Sequence, residues 1–148
     1  MSGSGDKSAE RPTRSTAAGG AEVVDSFDWA LIRVVPRVER GEYVNVGAIV
    51  ACATKRYLGA KLALDPARVR ALDAAIDLDE LGLALASIPL IAAGDPAGGP
   101  IAALPRGERF HWLVAPRSAV VQTSPVHTGL CDDPEVALDD LIRRLVHT

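Results

Sequence analysis

The sequence predicts an α+β fold, an antiparallel sheet of about five strands with helices packed on one face. Three observations lead to this prediction. Apolar runs of strand length follow one another closely between residues 27 and 64, which is typical of a three-strand meander. Two Asp-Pro pairs, Asp65-Pro66 and Asp133-Pro134, each precede apolar residues at helical spacing. Strands and helices come in groups rather than in strict alternation, which favours an antiparallel sheet.

The meander contains three predicted strands. The first, Phe27 to Val35, is apolar on both faces except at Arg33, which indicates a strand inside the sheet. Pro36 ends this strand because proline cannot donate a hydrogen bond to the sheet. The second strand is expected from Val44 to Ala53 and the third from Tyr57 to Leu64.

Two helices are predicted after the meander. Asp65 caps the first, and either Asp77 or Asp79 caps the second. Pro89 lies inside the second helical pattern, where it is expected to kink or end the helix. The Gly- and Pro-rich run from Gly94 to Gly107 is predicted to be an irregular loop.

Two further strands and a C-terminal helix complete the prediction. The strands are expected at Arg109 to Val114 and at Ser118 to Thr123, and a polar loop containing Cys131 follows them. Asp133 caps the last helix, which has the clearest amphipathic pattern in the chain. Its apolar stripe recurs at i, i+3, i+4 and i+7, at Leu138, Leu141, Ile142 and Leu145.

Length and charge limit the classes of function. The 148 residues suit a single domain, predicted over residues 26–148, after a disordered tail at residues 1–25 that has almost nothing to bury. A net charge of −3 and only six aromatic residues argue against a nucleic-acid partner. Neither a membrane-spanning run nor a signal peptide is found, so the cytoplasm is the default compartment. The oligomeric state is not predicted.

The sequence predicts no cofactor and no metal site, and it leans against an enzyme without deciding the question. Cys52 and Cys131 form no disulfide framework, and the three histidines have no metal-ligand spacing. Ser124 and His127 lie close together, but no carboxylate is placed to orient the histidine. Acyl-transfer chemistry is therefore not expected.

The turn between the first two strands is dense in charge. Arg33 is the sharpest anomaly, because an unpaired guanidinium on an apolar strand costs several kcal/mol. Glu39 and Glu42 are its nearest carboxylates in sequence. Two interpretations stay open: a structural clasp between arginine and glutamate, or an arginine that binds an anion. Arg40 lies in the turn itself, beside Gly41, which can adopt a positive φ.

The second strand begins with two unusual residues. Asn45 is a poor strand former, and its side chain is expected to bond to backbone near the strand start. Gly47 is expected to allow the close approach of another backbone or of a ligand.

A second polar cluster precedes the last helix and contains Arg117, Ser124 and His127. If the fifth strand pairs near the first, Arg117 and His127 face Arg33 and Arg40. These cationic or switchable groups would then form a site for phosphate or carboxylate. The alternative is a hydrogen-bonded loop anchored at Ser124-Pro125.

Two segments carry a family resemblance. They are IRVVPRVERGEYVNVGAIV, which holds an Arg-x-x-Pro-x-x-Glu-Arg-Gly-Glu-x-x-Asn-Val-Gly block, and APRSAVVQTSPVHTGLCDDPEVALDDLIRRLV, which holds Arg-Ser and Ser-Pro blocks. From Phe27 to Val146 the chain resembles the bacterial family called domain of unknown function 3037. The second segment is closer to a high-GC branch of that family, so His127 is expected to be a subfamily feature.

The resemblance implies a function, whereas the residues alone do not decide one. Members of the family are often encoded beside proteins similar to HipA-type kinases. This context implies a small accessory protein that binds a protein partner, with a HipA-like kinase as the candidate. The alternative hypothesis is a binding module or enzyme for a phosphorylated or carboxylate ligand, which would use the cluster of arginines and histidine.

Overall fold

A computed structural model describes residues 24–117 and 119–147 and contains an antiparallel sheet of five strands with four helices, which confirms the α+β class. Most of the predicted tail lies outside the described residues, but Asp25, its predicted last residue, begins the first strand. The strands are β1 Asp25–Val34, β2 Val44–Cys52, β3 Tyr57–Leu62, β4 Val121–Thr123 and β5 His127–Cys131. The helices are α1 Pro66–Leu72, α2 Leu78–Ala93, α3 Arg106–Val114 and α4 Pro134–Leu141.

The strand β1 lies inside the sheet, as its apolar faces predict. The order of strands across the sheet is β3, β2, β1. Both β4 and β5 pair with the side of β1 that faces away from β2. Ile32 lies opposite Thr123 in β4, whereas Trp29 lies opposite His127 in β5. The two short strands therefore form one interrupted edge of the sheet, with Ser124 in the interruption.

A β-bulge in β2 changes which of its side chains face each side of the sheet. Ile32 pairs with Gly47 and Arg33 pairs with Asn45, so Val46 has no partner in β1. The extra residue reverses the alternation of side chains along β2. Val46 consequently packs with the odd-numbered Ile49 of the same strand.

The buried apolar side chains form two cores, one on each face of the sheet. One core joins Ile32 and Ile49 to side chains of α1, α2 and α3. The other joins Leu31 and Val50 to Leu138 and further residues of α4 and the turn after it. The prediction of helices on one face was therefore wrong in this respect, because β1 and β2 are apolar on both faces and need a cover on each. We call the second side the α4 face.

Capping residues begin the helices at the predicted positions. The Asp65 side chain accepts a hydrogen bond from the Ala67 backbone N–H, and Asp77, not Asp79, caps α2 by accepting from Glu80. Pro89 does not end α2, which continues to Ala93. Gly94 ends it instead, with a φ of 72° that glycine adopts without strain.

The predicted strand from Arg109 to Val114 is wrong, because this segment belongs to the helix α3. A six-residue segment in which apolar residues are mixed with Arg109 and His111 fits a strand and a helix equally well. Tertiary contacts decide in favour of the helix. Phe110 and Leu113, three residues apart, are both buried, and Arg109 donates hydrogen bonds to the carbonyls of Leu104 and Ala92.

The edge strands differ from the prediction as well. The expected strand from Ser118 to Thr123 is only β4, three residues long, and Ser118 lies outside the described residues. The segment from His127 to Cys131, predicted as a polar loop, is the strand β5. The sequence of this segment is not typical of a strand by itself, and pairing with β1 stabilises its extended conformation.

The last helix carries the predicted apolar stripe. Asp133 caps α4 by accepting from the Glu135 backbone N–H, and Leu138 and Leu141 are buried. A π-helical turn, Ile142–Val146, continues α4. In the described part of the chain, no helix is both long enough and apolar enough to cross a membrane.

Candidate functional site

Arg33 projects from β1 on the α4 face of the sheet, in a row with its cross-strand neighbours Asn45 and Gln122. Its guanidinium carbon lies 4.0 Å from the centroid of the Tyr43 ring, a cation–π contact. Its Nε atom is buried and has no hydrogen-bond acceptor among residues 24–117 and 119–147. Among the described residues, Arg33 thus contacts an aromatic ring face and no carboxylate.

Asn45 lies beside Arg33 and faces the end of the last helix. Its Nδ2 donates to the carbonyl of Leu145 at 3.3 Å, so the side chain bonds to the backbone of the C-terminal turn and not, as predicted, to backbone near the strand start. Its Oδ1 is buried and has no donor in the described part of the chain. Two neighbouring side chains therefore each keep one unsatisfied polar atom.

The expected clasp between Arg33 and the turn glutamates does not form. Glu39 pairs with Arg37 at 3.0 Å, and Glu42 pairs with Arg40 at 2.9 Å, all on the exposed turn. These local hydrogen bonds lower the pKa of Glu42 and raise that of Arg40. Residues two apart in a turn reach each other more readily than they reach back to a strand.

The structure also separates the cations that were expected to converge. Arg117 lies over the Trp112 ring at 4.4 Å and donates to the carbonyls of Trp112 and Leu113, at the end of α3. His127 stacks on Trp29 with 4.6 Å between ring centroids. Trp29 precedes Arg33 by four residues on β1, which is about 13 Å along a strand. Arg33, Arg117 and His127 therefore do not form one cleft.

Ser124 has a structural position in the interruption between β4 and β5. It is 3% exposed, its backbone N–H donates to the Leu31 carbonyl at 2.9 Å, and its Oγ accepts from the Leu31 N–H at 2.8 Å. The same hydroxyl donates to the Pro125 carbonyl. Ser124 Oγ thus takes the place of a backbone acceptor where the edge strand is interrupted.

Gly47 allows a close backbone approach, as its place in β2 predicted. A Cβ atom at this position would lie 2.5 Å from the carbonyl oxygen of Lys61 in β3. The approach is between two strands and involves no ligand. Gly41 adopts the positive φ expected of it, 72°.

A groove of about 620 Å³ lies between β5 and α4 on the α4 face, and the sequence did not predict it. We call it the β5–α4 groove. Val136, 61% exposed, stands on its helix side, and the edge strand β5 forms the other side. The residues of its wall and rim that matter below are Phe27, Trp29, Leu130, Asp132, Asp133 and Val136. Val136, an exposed apolar residue on the helix, was the feature that could have indicated this groove.

A smaller groove of about 350 Å³ lies between α2 and the start of β4. It is mainly apolar, and Ile76, Leu81 and Val120 contribute to it. It lies near the first core and away from β5, so it offers a second surface with which the β5–α4 groove can be compared.

Two titratable groups near the β5–α4 groove have pKa values shifted by their surroundings. Burial, followed by the neighbouring Cys52 thiol, raises the pKa of Cys131, which disfavours a reactive thiolate. A hydrogen bond from Arg144 lowers the pKa of Asp140 and keeps it charged. Across the described residues, no group of three or more His, Cys, Asp or Glu side chains could hold a metal ion.

The family model described as a protein of unknown function, DUF3037, matches residues 29–146. The chain belongs to the DUF3037 family. This match confirms the predicted resemblance over most of the chain. No curated protein and no solved structure matches this chain. The matched residues include the Arg33 row and most of the sheet and of the β5–α4 groove, and the family description assigns no activity to any of them.

Proposed function

We propose that this DUF3037 protein is a small cytoplasmic accessory protein that binds a protein partner through the β5–α4 groove. The observation that supports this proposal is the combination of an open sheet edge with an apolar groove beside it. Val136 in α4 is 61% exposed and lines the groove together with Trp29, while Leu130 in β5, 73% exposed, borders it at the sheet edge with its side chain toward the other face of the sheet. Exposed apolar groups that border one cavity are typical of interaction surfaces.

The edge strand favours a partner segment in extended conformation. Strand β5 pairs with β1 on one side, and no strand in the described part of the chain pairs with its other side. The unpaired N–H and C=O groups of an edge strand can bind an added strand. Side chains of such a strand would alternate between the groove and solvent, and one apolar side chain would reach Val136 and Trp29.

The charge at one end of the groove favours a basic residue in the partner segment. Asp132 and Asp133 lie where β5 leads into α4, and both carboxylates are on exposed residues. Asp140 contributes less, since Arg143 and Arg144 pair with it. The partner segment therefore carries apolar residues along the groove and a Lys or Arg near Asp132.

The candidate partner is a HipA-like kinase, as the family resemblance implies. Support for a binding role over an enzymatic one comes from the dispersal of the polar groups: Arg117, Ser124 and His127 each lie in a separate environment. Ser124 is committed to Leu31, and His127 is stacked on Trp29. A ligand site built from a cluster of arginines and histidine thus loses most of its support.

Affinity purification from the native host tests the proposal. Val136→Glu places a charge in the groove on an exposed position, so the fold should tolerate it. Leu83→Glu is the matched control, because Leu83 is 77% exposed on α2. We expect a protein that is recovered with the wild type and with Leu83→Glu, and depleted at least about tenfold with Val136→Glu, equivalent to about 1.4 kcal/mol. Equal recovery with both variants would contradict the proposal.

A further inference from the structure

We propose that Arg33 is the anchor of a carboxylate-binding site on the α4 face, separate from the β5–α4 groove. Its guanidinium has no anionic partner among residues 24–117 and 119–147, and its neighbours in the row, Asn45 and Gln122, are neutral amides. Nothing in the row cancels the positive charge. The inference does not depend on the proposed partner, because the two surfaces use different residues.

The unsatisfied atoms show that the arrangement costs free energy without a ligand. A buried N–H with no acceptor carries the full cost of its lost hydration, and this cost is larger for a charged group. In the described part of the chain Arg33 Nε is a buried donor without an acceptor, and Asn45 Oδ1 beside it is a buried acceptor without a donor. A side chain that served packing alone would be better as methionine or leucine at this position, since the strand is apolar from Trp29 to Ile32 and again at Val34.

The shape of the site favours a planar anion. The half-exposed ring of Tyr43 lies against one face of the planar Arg33 guanidinium. The edge of the guanidinium carries the remaining N–H donors. Two parallel N–H groups on this edge match the spacing of the two oxygens of a carboxylate. The ring of Tyr43 provides an apolar wall against which the carbon chain of the ligand can lie.

The surrounding charges favour a carboxylate over a phosphate. One guanidinium balances one negative charge, whereas a phosphate dianion usually requires a second cation or a set of backbone N–H donors. The other arginines of the turn, Arg37 and Arg40, are already paired with Glu39 and Glu42.

The test is an NMR titration that follows the Nε–Hε signal of Arg33 in the full chain at constant ionic strength. The probes are acetate, N-acetyl-glutamate α-amide and inorganic phosphate, with chloride as the reference salt. We expect a saturable shift with both carboxylates and a linear, unsaturated response to phosphate and chloride. Tighter binding of blocked glutamate than of acetate would assign the site to acidic side chains of proteins, and the reverse would assign it to small carboxylates.

Two variants make the result specific to Arg33. Arg33→Lys keeps the charge but loses the fork, so it should weaken acetate binding at least about fivefold, judged from the Tyr43 ring signals. Arg70→Lys, an exposed arginine on α1, should leave binding unchanged. A linear response to every anion in the wild type, or equal binding in Arg33→Lys, would overturn the carboxylate site. Either result would leave the partner proposal intact.

Discussion

Ser124 and Leu31 are joined by two hydrogen bonds, one through the Ser124 backbone N–H at 2.9 Å and one through its Oγ at 2.8 Å. The pair holds the interrupted edge of the sheet against β1, and the Ser124 Oγ accepts the Leu31 N–H in place of a backbone carbonyl. The hydroxyl thus completes the pairing that the backbone cannot make there. This arrangement explains why a polar residue is buried at the sheet edge.

Ser124→Ala should destabilise the protein by about 1–3 kcal/mol, because it leaves the buried Leu31 N–H without an acceptor. Ser87→Ala is the control, since the Ser87 hydroxyl bonds at an exposed position to a carbonyl of its own helix. The control should change the free energy of unfolding by less than about 0.5 kcal/mol. Urea denaturation measures both values, and equal effects would show that the Ser124 hydroxyl is dispensable.

Arg33→Met should change the free energy of unfolding by no more than about 1 kcal/mol, or should stabilise the protein. The substitution removes an uncompensated charge and loses a cation–π contact of similar size. A clasp with glutamate would instead make the substitution cost about 3 kcal/mol or more. Arg109→Met is the comparison and should be destabilising, because Arg109 holds the carbonyls of Leu104 and Ala92. Thermal and urea unfolding of the two variants decide between these outcomes.

Leu141→Ala should cost about 2–4 kcal/mol, because Leu141 is buried between α4 and the sheet. Val136→Ala, on the exposed side of the same helix, should cost less than about 0.5 kcal/mol. Urea denaturation of the pair measures the packing of α4 directly. A loss below 0.5 kcal/mol for Leu141→Ala would mean that α4 does not cover the second core in solution.

Tyr57 in β3 should make the stability of the protein depend on pH in the alkaline range. Burial, together with the charges of Glu135, Asp139 and Asp133, raises the pKa of Tyr57 to about 12. The folded state therefore holds the phenol proton more tightly than the unfolded state. Its contribution to stability is complete below pH 10 and is lost as the pH rises from 10 to 12. Stability measured across that interval should fall less steeply in Tyr57→Phe than in the wild type, and parallel curves would contradict the shifted pKa.

Much of the fold could be predicted because local signals determine it. Asp65, Asp77 and Asp133 each begin a helix through their own side chains, and Gly41 has the positive φ that its turn requires. The fold class followed from these starts and from the meander. The second core was missed even though β1 is apolar on both faces, a pattern that requires a cover on each side.

The errors lie where distant contacts outweigh local pattern. The helix α3 was predicted as a strand because its short pattern of apolar residues fits both structures, and the choice depends on the distant carbonyl of Ala92 that Arg109 binds. Strand β5 was missed because its order comes from pairing with β1. The cation cluster, one of two interpretations of these residues, required a register in which His127 lies near Arg33, whereas the actual register places His127 opposite Trp29.

Hydrogen–deuterium exchange of the complex with the purified partner tests the central claim most directly. Binding through the β5–α4 groove should slow exchange at residues 127–131 and at the start of α4, because an added strand protects the open edge. Amides around Leu83 and the smaller groove at Val120 should be unchanged. Unchanged exchange in β5, with protection at the smaller groove or on α2, would contradict the claim.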